Sequence, residues 1–264
     1  GDIATDEGRA AMIAHLYAIH ERVMQAAPRH FKTVPPHPLE IVRVPEYQQD
    51  GSPGGYYNSP ALDGSRPGRF YINLKDTADN PRWTLASFMI HEGAPGHHFQ
   101  AAAALSIRGV PLMRQMANFT AYAEGWALYA ERIAKTDMGL YEGDPLGDLG
   151  RLQAEMFRAA RLVVDTGLHA KGWSREQAID YMIEHTGMPA AEIEREVERY
   201  VVSPGQATAY KVGQLAILDM RREAQAALGA RFDAREFHEV VLMNGGMPLD
   251  LLRDTVQRWV RRLQ

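Results

Sequence analysis

The most informative stretch of the sequence is His91-Glu92-Gly93-Ala94-Pro95-Gly96-His97-His98. Three imidazoles and one carboxylate within eight residues are side chains that can hold a divalent metal ion. In the common zinc-binding helix, two His four residues apart share one face, and the Glu beside the first His activates a water molecule. Here the second and third His lie six and seven residues after the first. On an ideal helix they would point about −120° and −20° away from it, so an undistorted helix does not suit this spacing.

A break in the helix is therefore expected between the His residues. A seven-residue spacing separates two Cα atoms by roughly 10.5 Å along a helix axis, a long reach for two imidazoles on one ion. Pro95 lacks an N–H group and clashes with the preceding turn, while Gly93 and Gly96 tolerate unusual backbone angles. We predict a two-residue insertion into a metal-binding helix.

Four side chains of this stretch receive predicted roles. His91 and His97 are the predicted metal ligands, and His98 is the alternative to His97. Glu92 is the predicted general base that takes a proton from water. A His-rich loop can also bind nothing, because a His is often only a hydrogen-bonding residue. The clustering of ligand types directly after the apolar run 85–90 favours a metal site.

A third protein ligand is expected on the helical segment 119–131. Glu124 and Glu131 are seven residues apart, so they share nearly one stripe of a helix. Glu124 has apolar and aromatic neighbours, among which an unpaired buried carboxylate would be costly. We predict that Glu124 is the third ligand and that Glu131 supports a ligand from behind. A partly solvated or salt-bridged helix residue is the alternative for Glu131.

A further stripe of polar side chains consists of Arg161, Asp165 and His169, each four residues after the last. Asp165 could fix the orientation of a ligand imidazole, and His169 could donate to an anionic intermediate. Arg161 could bind a substrate carboxylate. The alternative is a ladder of salt bridges within one helix.

The chain resembles the DUF885 family of bacterial proteins from about residue 35 to its C-terminus. The resemblance is carried by residues 91–98, by Glu124-Gly125-Trp126-Ala127-Leu128-Tyr129-Ala130-Glu131, and by residues 161–169 and 204–213. The family is grouped with gluzincin-like metallopeptidases. Its distant relatives, helical zinc oligopeptidases and carboxypeptidases, end the metal motif in Gly-His and carry a ligand Glu followed by another Glu seven residues later. Gly96-His97 and the pair Glu124 and Glu131 match those features.

The resemblance also implies a role for a late Tyr. Gln206 and Tyr210 lie four residues apart on a predicted helix, and Lys211 follows directly. In the related peptidases a late Tyr stabilises the oxyanion that forms when water adds to a carbonyl, so Tyr210 is the predicted donor. Lys211, like Arg161, could receive a substrate carboxylate. A Tyr packed in the core is the alternative.

Length and composition fit a folded globular protein. The 264 residues are 45% hydrophobic and 23% charged, with a net charge of −4 and no cysteine. His and carboxylates are thus the strong metal ligands available. Dispersed Lys and Arg do not favour a nucleic-acid partner, and no apolar run approaches 18 residues, so no membrane-spanning segment is predicted. The N-terminus does not resemble a signal peptide, which leaves a soluble protein, cytoplasmic or exported.

We predict one metallopeptidase-like catalytic domain over residues 1–264, with oligomeric state left open. Residues 1–80 would hold an N-terminal helix and a small β region, and residues 81–264 the helical part with the metal site. The predicted strands are 39–44, 56–58 and 69–74. The predicted helices are 6–27, 82–108, 112–136, 146–171, 174–185, 189–202, 205–228, 233–244 and 248–262. Because proteins resembling this one are commonly about twice as long, the chain could be the C-terminal part of a longer protein.

The small sheet precedes the predicted metal helix, so an edge strand could bind an extended peptide beside the ion. Tyr71 and Asn73 are expected near that cleft, and the alternative is a hairpin that only covers the helical core. The sequence thus predicts a mainly α, zincin-like fold and Zn²⁺-dependent cleavage of amide bonds in short peptides.

The sequence also admits two alternatives from other classes of protein. A protein of the same fold that binds zinc without turnover is the alternative function. A di-iron protein normally needs two Glu-x-x-His pairs, and the motif helices contain none.

Overall fold

The protein is mainly α-helical. The computed structural model describes residues 3–264, and 67% of the chain is helical. The described residues form eleven α-helices: α1 Asp6–Ala26, α2 Leu85–Glu92, α3 His97–Ser106, α4 Leu112–Met116, α5 Thr120–Thr136, α6 Pro145–Lys171, α7 Arg175–Thr186, α8 Ala190–Val202, α9 Gln206–Leu228, α10 Ala234–Leu242 and α11 Leu249–Leu263. Three strands complete them: β1 Leu39–Arg43, β2 Gly55–Asn58 and β3 Gly68–Ile72.

The three strands form one small sheet with β3 in its centre. β1 pairs with β3 in parallel, and β2 pairs with β3 in the antiparallel sense. Buried side chains of alternate residues, including Ile41, Phe70 and Ile72, pack with Leu16 of α1 and Met89 of α2. The sheet is thereby attached to the helix that carries the first His of the motif.

Helices α5 and α9 cross at very short range. Gly125 and Gly213 make this possible, since a Cβ atom built on Gly125 would lie 2.4 Å from the Cα of Gly213. Beside this crossing, Trp126 and Tyr129 of α5 are completely buried in the largest hydrophobic core, together with Ile217 of α9. The crossing fixes α9 against the helix that carries Glu124 and Glu131.

Most predicted elements are confirmed within two residues at each end. These are the N-terminal helix, the three strands and the six helices from α6 to α11. The predicted start of α7 is also confirmed, because Ser174 and Gln177 form a reciprocal capping box.

Two predicted helices are wrong as continuous elements. The span 82–108 is a short 3₁₀ turn followed by α2 and α3, with residues 93–96 between them. The span 112–136 is divided into α4 and α5 by an extended segment at 117–119. Leu112 and Met113 are exposed and share no buried face with α5. Instead, Arg114 of α4 donates hydrogen bonds to the carbonyls of Asn244 and Gly246, ahead of α11.

In the part of the chain that the structure describes, no helix has the length and apolar character needed to cross a membrane.

Changing Gly213 to Ala should destabilise the fold by about 1–3 kcal/mol, because the new Cβ would lie 1.9 Å from the backbone oxygen of Ala121 and force α5 and α9 apart. Gly51→Ala is the control, since no atom lies within 4 Å of a Cβ at that position. Denaturant unfolding of both variants measures the difference. Equal stability of Gly213→Ala and the wild type would contradict the tight crossing.

Candidate metal centre and cavity

The chain turns back on itself between α2 and α3. The N–H of Gly96 donates to the carbonyl of Ile90 at 3.0 Å, and a Cβ on Gly96 would lie 2.1 Å from the carbonyl oxygen of His91. The indole N–H of Trp126 on α5 donates to the carbonyl of Pro95 at 2.8 Å. This turn places His97, at the start of α3, beside the last turn of α2. The expected interruption of the helix at the Pro is confirmed.

Three predicted ligands converge at this turn. The ring centres of His91 and His97 are 4.8 Å apart. Oε2 of Glu124 lies 3.5 Å from Nε2 of His91 and 3.1 Å from Nε2 of His97. Ligand bonds of about 2.0–2.1 Å in tetrahedral geometry would separate the ligand atoms by roughly 3.3 Å. Among residues 3–264, this is the one group of three such side chains close enough to hold a metal ion.

Glu131 holds the second ring nitrogen of His91. Its Oε1 lies 2.7 Å from Nδ1 of His91, and its Oε2 accepts a hydrogen bond from the hydroxyl of Ser87. Arg158 of α6 approaches the same oxygen, with 3.8 Å between its Nη2 and Oε1 of Glu131. A carboxylate in this position orients a ligand imidazole and increases its basicity. The geometry therefore agrees with the supporting role predicted for Glu131.

His98 is turned away from the cluster. Its Nδ1 lies 2.9 Å from the hydroxyl of Tyr57, and its Nε2 lies 2.9 Å from the carbonyl oxygen of His37. Burial lowers the pKa of His98 to about 4. Both ring nitrogens are engaged by the protein, so His97 rather than His98 is placed to be a ligand.

The charges of the cluster shift its pKa values strongly. Burial alone would raise the pKa of Glu124, but His97 and His91 outweigh burial and hold it well below the usual range. Burial also opposes protonation of His91, yet Glu124 and Glu131 raise the pKa of that imidazole to about 9. A metal ion bound at this nitrogen would have to displace a proton.

Glu92 differs from the other two carboxylates. It is buried but makes no hydrogen bond or ion pair with the described residues, although it lines the same cavity as His91. Burial raises the pKa of Glu92, and the neighbouring Glu124 adds to the rise against the opposing effect of His91 and His97. A carboxylate with a raised pKa and free oxygens is suited to accept and return a proton near neutral pH.

A cavity of about 990 Å³ opens beside the cluster. Its walls come from β2, α2, α3, α5, α6, α8 and α9, together with α4 and the segments before β2 and after it. The volume is that of a pocket able to enclose a small organic ligand.

Tyr210 forms part of the cavity wall next to the cluster. Its ring stacks against that of His91 at a centre distance of 6.0 Å, and its hydroxyl accepts a hydrogen bond from Nε2 of Gln206 at 2.9 Å. Arg161 holds this pair, because its Nη2 donates to Oε1 of Gln206 at 2.9 Å and its guanidinium lies 4.3 Å from the Tyr210 ring centre. Burial raises the pKa of Tyr210, and the charge of Glu124 adds to the rise, so the hydroxyl keeps its proton.

The structure places three other candidates outside the residues that line the cavity. Asp165 accepts hydrogen bonds from the backbone N–H of Gly205 at 3.0 and 3.1 Å, so it supports the start of α9 instead of a ligand imidazole. His169 is bound to the carbonyl of Tyr200 at 3.0 Å. Lys211 donates to Glu155 at 2.7 Å and to a Gln side chain of α9 at 2.8 Å. Of the predicted stripe on α6, Arg161 alone reaches the cavity.

The sheet edge that faces the cavity is β2. Gly55, Tyr56 and Tyr57 line the cavity, and β2 is paired on one side only. Tyr71 belongs to the central strand and stacks on Tyr56 at 4.8 Å. Asn73 donates its side-chain N–H to loop carbonyls, at 2.9 Å in the shortest contact. An edge strand does lie beside the site, and it is β2. Tyr71 and Asn73, which were expected there, do not line the cavity.

Several cavity residues were missed by the sequence reasoning: Ser87, Arg158, Glu192, Glu196 and Arg199. Two of them carried a signal, because Ser87 precedes His91 by four residues and Arg158 precedes Arg161 by three, which puts each pair on one face of a helix. The residues of α8 carried none, since their approach to α6 and α9 depends on long-range packing.

A family model described as "Bacterial protein of unknown function (DUF885)" matches residues 3–256. The chain belongs to the DUF885 family. A search of curated proteins finds no match. Two solved structures are similar to this DUF885 chain. One, from Colwellia psychrerythraea, is described as a "putative lipoprotein", with 48% identity, a TM-score of 0.96, and coverage of 98% of this chain and 44% of that chain.

The second structure, from Shewanella oneidensis, is described as a "putative lipoprotein of unknown function". It is 24% identical, with a TM-score of 0.79 and coverage of 93% of this chain and 45% of that chain, so it shows the fold alone. The DUF885 chain described here thus spans less than half the length of both structures.

Replacing His97 and His98 in two separate variants should show which of the two side chains binds Zn²⁺. Loss of a residue that only supports a metal ligand weakens metal binding by roughly 10–100-fold. We expect His97→Ala, which removes a ligand, to weaken Zn²⁺ binding by more than that. His98→Asn should keep the Zn²⁺ affinity of the wild type and lower stability by about 1–3 kcal/mol, because Tyr57 and the His37 carbonyl lose a buried partner. Competition with a coloured chelator measures affinity, and the reverse order of effects would contradict this assignment.

Proposed function

We propose that the protein is a zinc-dependent hydrolase that cleaves amide bonds of short peptides. One observation carries the proposal: the ligand atoms of His91, His97 and Glu124 converge, and the unpaired carboxylate of Glu92 lies in the same cavity. Two imidazole nitrogens and one carboxylate oxygen are the donor set of many catalytic zinc sites.

The supporting contacts also fit zinc. His91 would bind through Nε2, because Glu131 already engages its Nδ1 at 2.7 Å. Three protein ligands leave a fourth position for water or substrate. When bound, zinc would supply Lewis-acid activation of a water molecule and of the substrate carbonyl.

Glu92 would move the protons. Its carboxylate is free of protein partners, so it can accept a proton from the attacking water and return it to the leaving amine. The same group would act first as base and then as acid.

Tyr210 would stabilise the oxyanion. Its hydroxyl oxygen accepts from Gln206, so its own hydrogen remains available for donation to a substrate oxygen. Arg161 fixes Gln206 from behind and thereby fixes the direction of the hydroxyl.

A short extended peptide fits this site better than a folded protein. The cavity is enclosed by helices, and the free edge of β2 at Gly55–Asn58 offers backbone groups that can pair with one more strand. Residues on either side of the cleaved bond would then lie along the sheet edge.

One of the two similar structures bears on the location of the protein. The Colwellia psychrerythraea structure, which is 48% identical, is described as a "putative lipoprotein". Because lipoproteins are exported proteins, an exported location is proposed for this chain as well.

The decisive experiment combines metal analysis with a peptide library. We expect the purified protein to bind about one Zn²⁺ and to cleave short peptides, and Glu92→Gln to keep the metal while losing roughly 10²–10⁴-fold in kcat/KM. Glu184→Gln, an exposed Glu on α7, is the matched control and should retain activity. A wild type that binds zinc and cleaves no peptide would favour the alternative of a scaffold protein with the same fold.

Tyr210→Phe should lower kcat by roughly 10²–10³-fold with little change in zinc affinity, because it removes the proposed donor to the oxyanion but no metal ligand. Tyr47→Phe removes a hydroxyl from an exposed ring and serves as control. Steady-state kinetics of both variants provide the test. An unchanged kcat for Tyr210→Phe would remove Tyr210 from the mechanism.

A further inference from the structure

Arg161 is a buried cation without a counter-ion. Only 2% of it is exposed, and no carboxylate of the described residues lies within 4.0 Å of its guanidinium. Its Nη2 donates to Gln206, whereas its Nε is buried without a partner. Burying a charge is costly unless an opposite charge or strong hydrogen bonds compensate for it. The residue nevertheless forms part of the cavity wall, where a ligand could supply that compensation.

The other two arginines of the cavity already have anionic partners. Arg158 lies 3.8 Å from Glu131 and donates to the carbonyl of Ala154 at 3.2 Å. Arg199 is paired with Glu196 at 2.6 Å. Among the three, Arg161 is the one with no carboxylate of the described residues within 4.0 Å of its guanidinium.

The distance between Arg161 and the candidate metal centre can be bounded. The centre of the Tyr210 ring is 4.3 Å from the guanidinium carbon of Arg161 and 6.0 Å from the centre of the His91 ring. The guanidinium carbon is therefore no more than about 10 Å from the imidazole. An extended peptide advances about 3.3–3.6 Å per residue. A carboxylate bound at Arg161 would belong to the first or second residue beyond the bond at the metal.

We propose that Arg161 binds the C-terminal carboxylate of the peptide, so that the enzyme releases one or two residues from the C-terminal end. This inference rests on the proposed function. In the reaction, water adds its oxygen to the carbonyl carbon, the C–N bond breaks, and the nitrogen takes a proton and leaves as the amine of the released fragment. The planar guanidinium suits a carboxylate because it can donate two parallel hydrogen bonds.

The first experiment compares two N-acetylated tetrapeptides of one sequence, one with a free C-terminal carboxylate and one with a C-terminal amide. We expect the zinc-loaded protein to cleave the acid at least tenfold faster, one or two residues from its C-terminus, as identified by mass spectrometry. Equal rates for acid and amide, or products cut only near the N-terminus, would overturn the proposal.

The second experiment measures binding without turnover. Calorimetry with chelator-treated protein compares an N-acetylated dipeptide acid with its amide. We expect the acid to bind at least tenfold more tightly to the wild type, Arg161→Gln to bind both equally, and Arg161→Lys to fall between. Lys211→Gln, which removes a cation outside the cavity wall, should keep the wild-type ratio. Circular dichroism confirms that each variant is folded.

The two experiments fail differently. If the protein neither binds zinc nor cleaves any peptide, the proposed hydrolase activity is wrong, and a tenfold preference for the acid that depends on Arg161 would still support the carboxylate site. If the chelated wild type binds acid and amide equally, the carboxylate site is wrong, whether or not peptides are cleaved.

Discussion

The contact between the Glu131 carboxylate and Nδ1 of His91 is the interaction on which the candidate site depends. Both side chains are almost completely buried, so each requires the other as a partner. Glu131 and Glu124 lie two turns apart on α5, so the helix that orients the His91 ring also places a carboxylate oxygen of Glu124 beside it. A single placement of α5 against α2 therefore sets both the direction of the imidazole and the position of the carboxylate.

The glycine crossing of α5 and α9 extends this arrangement to the substrate side of the cavity. Because Gly125 and Gly213 let the two helices approach closely, Tyr210 of α9 reaches the His91 ring. The guanidinium of Arg161, on α6, packs against the Tyr210 ring and donates a hydrogen bond to the side chain of Gln206. The Tyr210 phenol thus has the His91 imidazole and the Arg161 guanidinium as its neighbours in the cavity wall. In the proposed mechanism, the order imidazole, phenol, guanidinium runs from the reacting carbonyl to the end of the peptide.

The fold was largely predictable from periodicity and turn residues, and the residues of the candidate metal centre could be named from the sequence because they cluster by type. Imidazole and carboxylate side chains are rare on buried helix faces, and this rarity is what draws attention to His91, His97 and Glu124 in the sequence. Asp165, by contrast, was placed by its spacing within one helix. Spacing defines a stripe but does not say which neighbouring element that stripe contacts, and here the contact is the start of α9. The partner of Arg158, Glu131, is likewise distant in sequence, so the spacing from Arg161 places Arg158 on one face of α6 without indicating that contact.

In the proposed function, a bound cation would compensate for the carboxylates of the cluster. Glu92 and Glu131 are buried, Glu124 beside them is 16% exposed, and Arg158 supplies one fixed positive charge. The imidazoles can add positive charge only by protonation, as the raised pKa of His91 indicates. A divalent ion bound at the imidazole nitrogens would replace those protons and place its charge nearer to Glu124 and Glu92. The cost of burying these carboxylates would then be offset at the place where the proposed chemistry occurs.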